Sequence, residues 1–314
     1  MSDEISKVCP TFAGLGGKIW PIGRYVSENK NWSACNPSIA YSPELGYAMT
    51  VRSSNYILHP KTGVFNVLEG DGIQSHVWFC ELGDDLVPKN MRKVNFLPED
   101  PSVDRGVEDP KLFWRDGNWF FTGVMLEKEH TPQPRMVLYL YDSVTNTAKF
   151  IKKWEGPDAG KPEKNWMLPY EPNPNFDFIY GPSSIVKDDF IVSKPSTNID
   201  ISGLRGNSNL WSLGDDTYIA VVHNLFNRYT KGENNLYIQD RAYIHRIARY
   251  NIFGDLVELG PEFVFRSLGV EFAAGLVVKD GSLIISWGER DETSYFATIP
   301  LQTVLDSLTP VERL

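Results

Sequence analysis

The chain has 314 residues, 42% of them hydrophobic and 23% charged, a composition that suits one large all-β domain or two ordinary domains and excludes a disordered chain. A formal net charge of -9 argues against a general nucleic-acid binder and leaves room only for a local basic pocket. Cys9, Cys35 and Cys80 are odd in number and far apart, no signal peptide precedes residue 30 and no apolar run approaches membrane-spanning length. A soluble, cytoplasmic protein with free thiols is therefore expected, with no membrane partner and no disulfide framework.

An N-terminal extension is expected over about residues 1–30. Its Gly14-Leu15-Gly16-Gly17 lacks the strand-then-helix context of a phosphate loop and reads as a flexible lead. From there one pattern recurs: a polar or proline-marked lead, an apolar strand, a turn with Gly or Asp, and a returning strand. The first instance is Asn36 to Tyr41, turning through Pro43 to Gly46 into Tyr47 to Arg52. The second starts at Arg105-Gly106-Val107-Glu108-Asp109-Pro110, runs through Leu112-Phe113-Trp114, turns at Arg115-Asp116-Gly117-Asn118 and returns as Trp119 to Val124. Proline is tolerated at the first residue of such a strand because it has no N–H to give a ladder.

A third instance runs from Lys164-Asn165-Trp166 through Pro169-Tyr170 to Phe176–Tyr180, and the stretch from Pro157 to Pro174 reads as a long connection usable as a rim or lid. In the fourth, Asn207 to Leu213 turns at Gly214-Asp215-Asp216 into Tyr218 to Asn224. The fifth goes from Glu271 to Val278, through Lys279-Asp280-Gly281, to Leu283 to Gly288. Arg135 to Tyr141 and Tyr243 to Tyr250 read as further strands, and Leu301 to Leu308 as a short C-terminal helix. Spacing of roughly forty to seventy residues fits propeller blades with insertions, whose repeat is about 40 to 50. The expected fold class is all-β, a single five-bladed β-propeller over residues 1–314; the alternative is a pair of open β-sandwiches.

In a propeller the first strand of each blade lines the axis, so the polar leads would converge on one funnel. It would hold Asn36, Glu108, Asp109, Lys164, Asn165, Arg205, Asn207 and Glu271, with Arg52, His223 and Asp291 at the ends of second strands. Carboxylates, cations and amides beside Trp166 and Trp211 suit a sugar-phosphate site better than a metal or hydride site. The 5 histidines show no metal spacing, there is no Gly-x-Ser-x-Gly elbow, and no cofactor is expected. Nine Trp and fourteen Tyr suit β-sheets or sugar-stacking faces.

Six motifs in order carry a resemblance. Gly106-Val107-Glu108-Asp109-Pro110, Glu163-Lys164-Asn165-Trp166, Leu204-Arg205-Gly206-Asn207-Ser208, Val222-His223, Tyr243-Ile244-His245-Arg246, and Glu271-Phe272-Ala273-Ala274-Gly275 with Ser286-Trp287-Gly288 and Asp291 resemble the series of glycoside hydrolase family 130. They resemble still more closely the related propellers of glycosyltransferases. The resemblance runs from about Asn36 to Pro300 and implies a five-bladed propeller acting on β-mannosides, as phosphorylase, hydrolase or mannosyltransferase.

The family's general acid maps onto Asp109, which would protonate a departing glycosidic oxygen or take a proton from the attacking one. Adjacent residues of an extended strand face opposite ways, so Glu108 would hold a sugar hydroxyl or tune its neighbour. The pair could instead cap a turn above Arg105 or Lys111. Where the family's phosphorylases usually carry arginine this chain has Lys111, a point charge without the planar fork. Arg52, Lys164, Arg205, His223 and His245 remain to neutralise a phosphate or a nucleotide diphosphate, though Arg205 could pair with a blade carboxylate and His245 could be a core histidine. Glu271 and Asp291 could contact sugar hydroxyls or serve as turn or blade-closing carboxylates. The expected partner is a sugar or sugar-phosphate substrate, with inorganic phosphate or a sugar nucleotide as co-substrate. A glycosyltransferase or glycoside phosphorylase is the leading expectation; a β-mannoside hydrolase with Asp109 as acid and Glu108 or Glu271 as base, and a non-catalytic glycan-binding propeller, are the alternatives.

Overall fold

The structure, a computed structural model, describes residues 9–23, 32–58, 65–100, 105–125, 134–157, 163–181, 184–231 and 237–314. Parts of the expected extension and of the stretch from Pro157 to Pro174 lie outside these residues. Turn chemistry sets the hairpins. Asp116 and Gly117, at φ 49° and 73°, supply the two left-handed positions of a two-residue turn between Val107–Arg115 and Asn118–Met125. Asp280 and Gly281, at 49° and 72°, do the same between Glu271–Lys279 and Ser282–Glu289.

The strands assemble into a five-bladed propeller. The first blade is Ser33–Ser42, Gly46–Ser54, Ser75–Leu82 and Pro88–Lys93, in that order outward. The second starts with Val107–Arg115 and Asn118–Met125, continues through Arg135–Asp142 and Thr147–Lys153, and ends on the short parallel strand Asn95–Phe96. Phe178–Tyr180, Ser184–Lys187 and Phe190–Ser193 form the third, with Met167 bridged to Ile179 on its inner side. In the fourth, Leu204–Gly206 and Trp211–Ser212 both pair with Thr217–Lys231, followed by Tyr237–Asn251, Leu256–Leu259 and Thr309–Pro310.

The fifth blade corrects the reading of the N-terminal segment. Outside Glu271–Lys279, Ser282–Glu289 and Thr293–Pro300 lies Lys18–Pro21, antiparallel to Thr293–Pro300. Just before it, Ala13–Leu15 make a 3-10 turn that ends on left-handed Gly16, and Phe12 is buried against Phe263 and Phe265. A four-residue strand with a partner about 280 positions away in sequence has too little local pattern to announce itself. The C-terminal helix is present and spans Leu301–Asp306.

Each blade interface has its own apolar cluster. Ala40 and Phe79 of the first blade meet Phe113 and Trp119 of the second, and Met136 of the second meets Trp166 and Phe178 of the third. Met167 and Ile185 of the third meet Tyr218 and Tyr250 of the fourth; Val221 and Ile247 of the fourth meet Leu276 and Trp287 of the fifth; Val277 and Phe296 of the fifth meet Ile39 and Met49 of the first. Trp166 and Met167 are adjacent yet serve different interfaces, as period-two alternation on an inner strand requires. Side-chain hydroxyls lock the inner strands: Ser38 Oγ donates to Ala274 O at 3.2 Å and accepts from Leu112 N at 3.0 Å, tying three blades together.

At Gly275 a Cβ would stand 2.2 Å from Ile39 N and 2.5 Å from Ser286 Oγ, so only glycine lets the first and fifth inner strands close. We expect Gly275→Ala to lose about 2 to 3 kcal/mol in urea unfolding, as overpacked sites do. Gly269→Ala, into open space, should change stability by less than about 0.5 kcal/mol; equal effects of the two would refute this packing account.

Candidate functional site

Bulges at the inner ends of the blades aim the polar leads at the axis. Opposite Asn118–Met125, pairing jumps from Lys111–Thr122 to Glu108–Val124, so Asp109 and Pro110 face the single residue Gly123. In the first blade Asn36 and Pro37 are bulged in the same way, and in the fifth Ala273 and Ala274 are. Asn36 and Asp109 take φ of 49° and 48°, a left-handed conformation that Asx side chains tolerate better than most.

This overturns the expectation that Glu108 and Asp109 face opposite ways. The bulge breaks the extended alternation, and both carboxylates reach one guanidinium: Arg52 Nη2 to Glu108 Oε1 at 3.1 Å and Nη1 to Asp109 Oδ1 at 3.2 Å. Arg52 is 2% exposed, donates Nε to Ser75 Oγ at 2.9 Å and lies 5.3 Å from the centre of the Tyr56 ring. Nor does Arg105 cap the pair; it turns to Asp71, 3.5 Å away.

Asn36 extends the network. Its Nδ2 donates to Asp109 Oδ1 at 2.8 Å and to Asp291 Oδ1 at 2.9 Å, one hydrogen for each carboxylate. Asp291 is displayed by a tight turn in which Arg290 and Asp291 have φ of 56° and 55°, and Tyr56 donates its hydroxyl to Oδ2 at 2.8 Å. Burial pushes the Asp291 carboxyl above the ordinary range; Arg52 pulls it back and the Asp109 charge adds to the rise. On the other side Lys164 Nζ stands 3.4 Å from Glu108 Oε2. Asn36, Arg52, Glu108, Asp109, Lys164 and Asp291 thus form one contiguous network. Within it Glu108 has both oxygens engaged, whereas Asp109 Oδ2 has no hydrogen-bond partner among the described residues.

Lys164, Asn165 and Arg205 continue into a cleft of about 830 Å³ between the third and fourth blades. Asn165 repeats the left-handed lead, at φ 60°. Other expected site residues are placed elsewhere. Lys111 is 2% exposed and donates Nζ to Trp166 O at 2.8 Å; burial lowers its pKa to about 7, against the pull of Asp109. Trp166 is no sugar platform: it is fully buried, stacked on Phe178 at 3.5 Å, with Nε1 on Glu163. Asn207 is fully buried too, and neither side-chain polar atom has a partner among the described residues.

Glu271 cannot act as a base for water. It is fully buried and accepts backbone N–H groups from Phe265, Arg266 and Ser267, pinning the turn that enters the fifth blade; burial outweighs these bonds and raises its pKa to about 7. His245 is a core histidine among Phe263 and Phe265, donating Nε2 to Glu271 O at 2.9 Å, and burial drives its pKa down to about 3. His223 is 3% exposed, stacked on Tyr243, and held neutral by burial, with His245, Arg205 and Lys111 adding repulsion. Tyr56 was missed by sequence reasoning, because nothing in Ser54-Asn55-Tyr56 separates it from the chain's other tyrosines.

Two measurements check this geometry. Arg52→Ala leaves two neighbouring carboxylates without their cation, and we expect a loss of about 3 to 5 kcal/mol in urea unfolding; a change under about 1 kcal/mol would show the clamp to be dispensable. The His245 ring stays neutral in the native state down to about pH 3, while its unfolded counterpart takes up a proton below about 6.5, so its stabilisation is full above 6.5 and is lost as pH falls through that window. Glu271 works in the opposite sense between about 4.5 and 7. The difference isolates the histidine: His245→Gln should reduce the slope of stability against pH by about 1.4 kcal/mol per pH unit between pH 4 and 6, and an unchanged slope would contradict it.

No family model matches the chain, and no curated protein matches it in sequence. Solved structures do match in fold. β-1,2-Mannobiose phosphorylase from Listeria innocua superposes with a TM-score of 0.61 at 11% identity, covering 90% of this chain and 94% of that one. MPT-4 from Leishmania mexicana, a mannose phosphorylase solved with phosphate ion, gives 0.58 at 14% identity over 99% and 96%. MPT-1 from the same organism, a GDP-Man-dependent mannosyltransferase, gives 0.53 at 14% identity over 86% and 85%. In fold, the chain is similar to the five-bladed propellers of mannoside phosphorylases and of a mannosyltransferase.

Proposed function

We propose that the protein transfers a glycosyl unit, mannosyl by analogy with the proteins it is similar to in fold, to or from phosphate, a nucleotide or a sugar acceptor, with Asp109 as general acid and base. One observation carries the reading: among the carboxylates of the inner strands, Asp109 alone is both anchored and open. Oδ1 is fixed by Asn36 and Arg52, Oδ2 has no partner among the described residues, and the side chain is 23% exposed. A proton-transfer group needs this combination of fixed aim and a free oxygen.

In the phosphorolytic direction, the bond from the sugar C1 to the glycosidic oxygen breaks through an oxocarbenium-like state and Asp109 gives its proton to the departing oxygen, directly or through a sugar hydroxyl. A phosphate oxygen then forms the new bond to C1. In the synthetic direction the acceptor hydroxyl bonds to C1 and its proton passes to Asp109. Arg52 and Asn36 keep the carboxylate oriented, while Glu108 ties Arg52 to Lys164 and Asp291 shares the Asn36 amide.

Inverting hydrolysis lacks a suitable base among these carboxylates: Glu271 is buried on its turn, both oxygens of Glu108 are engaged, and Asp291 lies too close to Asp109. Asp109 and Asp291 accept hydrogen bonds from the same amide nitrogen at 2.8 and 2.9 Å, which brings their nearest oxygens inside the roughly 6.5 Å lower bound for an inverting pair with water between. The test incubates the protein with mannose 1-phosphate, GDP-mannose and mannose acceptors and follows phosphate, nucleotide and oligosaccharide together. Product is expected from at least one donor, falling by about 10² to 10⁴ in Asp109→Asn; an unchanged rate removes Asp109 from this role, and no turnover with any donor moves the protein to glycan recognition.

A further inference from the structure

The cleft beside the acid is built for an anion larger than orthophosphate. Three cations line it, Lys164, Lys194 and Arg205, against a single carboxylate, that of Asp200. Asp200 spends an oxygen on its own turn, accepting Ser202 N at 2.9 Å. Arg205 donates Nη1 to the carbonyls of Ser202 and Leu204 and has no acidic partner among the described residues; Lys194 has neither hydrogen bond nor ion pair among them. Lys164 already has Glu108 as its partner, but Lys194 and Arg205 face the cavity with no carboxylate of their own among the described residues, an excess of positive charge that an anionic ligand offsets.

The wall that carries Lys194 is held in place. Leu314 N donates to Ser196 O at 3.0 Å, Asn198 N to Glu312 O at 3.0 Å and Glu312 N to Asn198 Oδ1 at 3.1 Å, so the C-terminal residues clasp the outer side of this connection. Arg313 of the same tail is anchored on Asp255. Lys164 stands at the inner end, on Glu108, so an anion bound along the cleft abuts the proton-transfer group. The volume, about 830 Å³, lies within the roughly 300 to 1,000 Å³ of sites for drug-sized ligands, far more than one phosphate occupies, and Tyr180 lends it a flat ring.

We infer that this cleft binds a nucleoside diphosphate, the leaving group of a nucleotide-sugar donor. The inference rests on the glycosyl-transfer reading and selects among its donors. The bond from sugar C1 to the β-phosphate oxygen breaks, its electron pair leaves with the diphosphate, and Lys164, Lys194 and Arg205 neutralise the charge as it develops. The acceptor hydroxyl oxygen forms the new bond to C1, and its proton passes to Asp109 Oδ2 and then to solvent.

Binding without turnover tests the cleft separately from the chemistry. Titration calorimetry on the full chain, with GDP, ADP, UDP and inorganic phosphate as probes, should show at least one nucleoside diphosphate bound tenfold or more tighter than phosphate. Lys194→Gln, at an exposed position, should weaken that affinity by about tenfold, the loss of one charge-assisted hydrogen bond, with an unchanged melting temperature. Phosphate binding as tightly as every nucleotide, no nucleotide binding, or an unaltered affinity in Lys194→Gln would each overturn the inference. Asp109→Asn should bind the nucleotide as the wild type does. If it also keeps full turnover, the acid assignment falls while the cleft assignment stands.

Discussion

A buried guanidinium organises the axial end of this molecule. Arg52 is almost wholly removed from water, and its cost of desolvation is met only because Ser75, Glu108 and Asp109 each take one of its nitrogens. The dependence is mutual. Glu108 and Asp109 are consecutive residues brought to one side of their strand, an arrangement that two negative charges would resist without a cation between them. The left-handed backbone at Asp109 is uphill for any residue other than glycine, and the Arg52 and Asn36 contacts are what hold it there.

The same device appears in other blades. Asn36-Pro37 and Asp109-Pro110 are the same kind of dipeptide, in the same conformation, bulged at the same place in their sheets. The fifth blade bulges at Ala273-Ala274, where small side chains leave the axis clear. In the fourth, Val221 O receives N–H groups from both Asn207 and Ser208, so the inner strand is interrupted at the matching height. Apolar side chains therefore fasten blade to blade, while the interrupted inner ends are freed from pairing to present amides and carboxylates.

Much of the scaffold was legible. Asp116-Gly117 and Asp280-Gly281 announce hairpins by chemistry that few other pairs satisfy, and the strands around them read as near-continuous apolar runs because each is buried on two sides. The gathering of Asn36, Asp109 and Lys164 followed from placing the polar leads on inner strands, and that of Arg52 from placing the end of a second strand beside them. What could not be read was the difference between a polar residue shown to the cavity and one spent inside the protein. Glu271 follows the same lead pattern as Asp109, yet its carboxylate terminates the backbone of a turn; Trp166 has a sugar-binding side chain, yet lies flat on Phe178. Composition is identical in both uses, and what decides between them is which neighbours the fold sets around each side chain, which leaves no periodic signature. The cationic wall bearing Lys194 escaped notice because it lies in a connection between blades, where no strand pattern draws attention to it.

The pairing of Lys18–Pro21 with Thr293–Pro300 sets an order of events during synthesis. The ribosome makes the outer strand of the last sheet about 280 residues before the strand it joins, so Ile19 and Trp20 wait for their neighbour while the chain between is synthesised. The first three sheets can mature as the polypeptide emerges, but the fifth closes only once Thr293–Pro300 is free to pair, and the fourth gains its outer strand, Thr309–Pro310, later still.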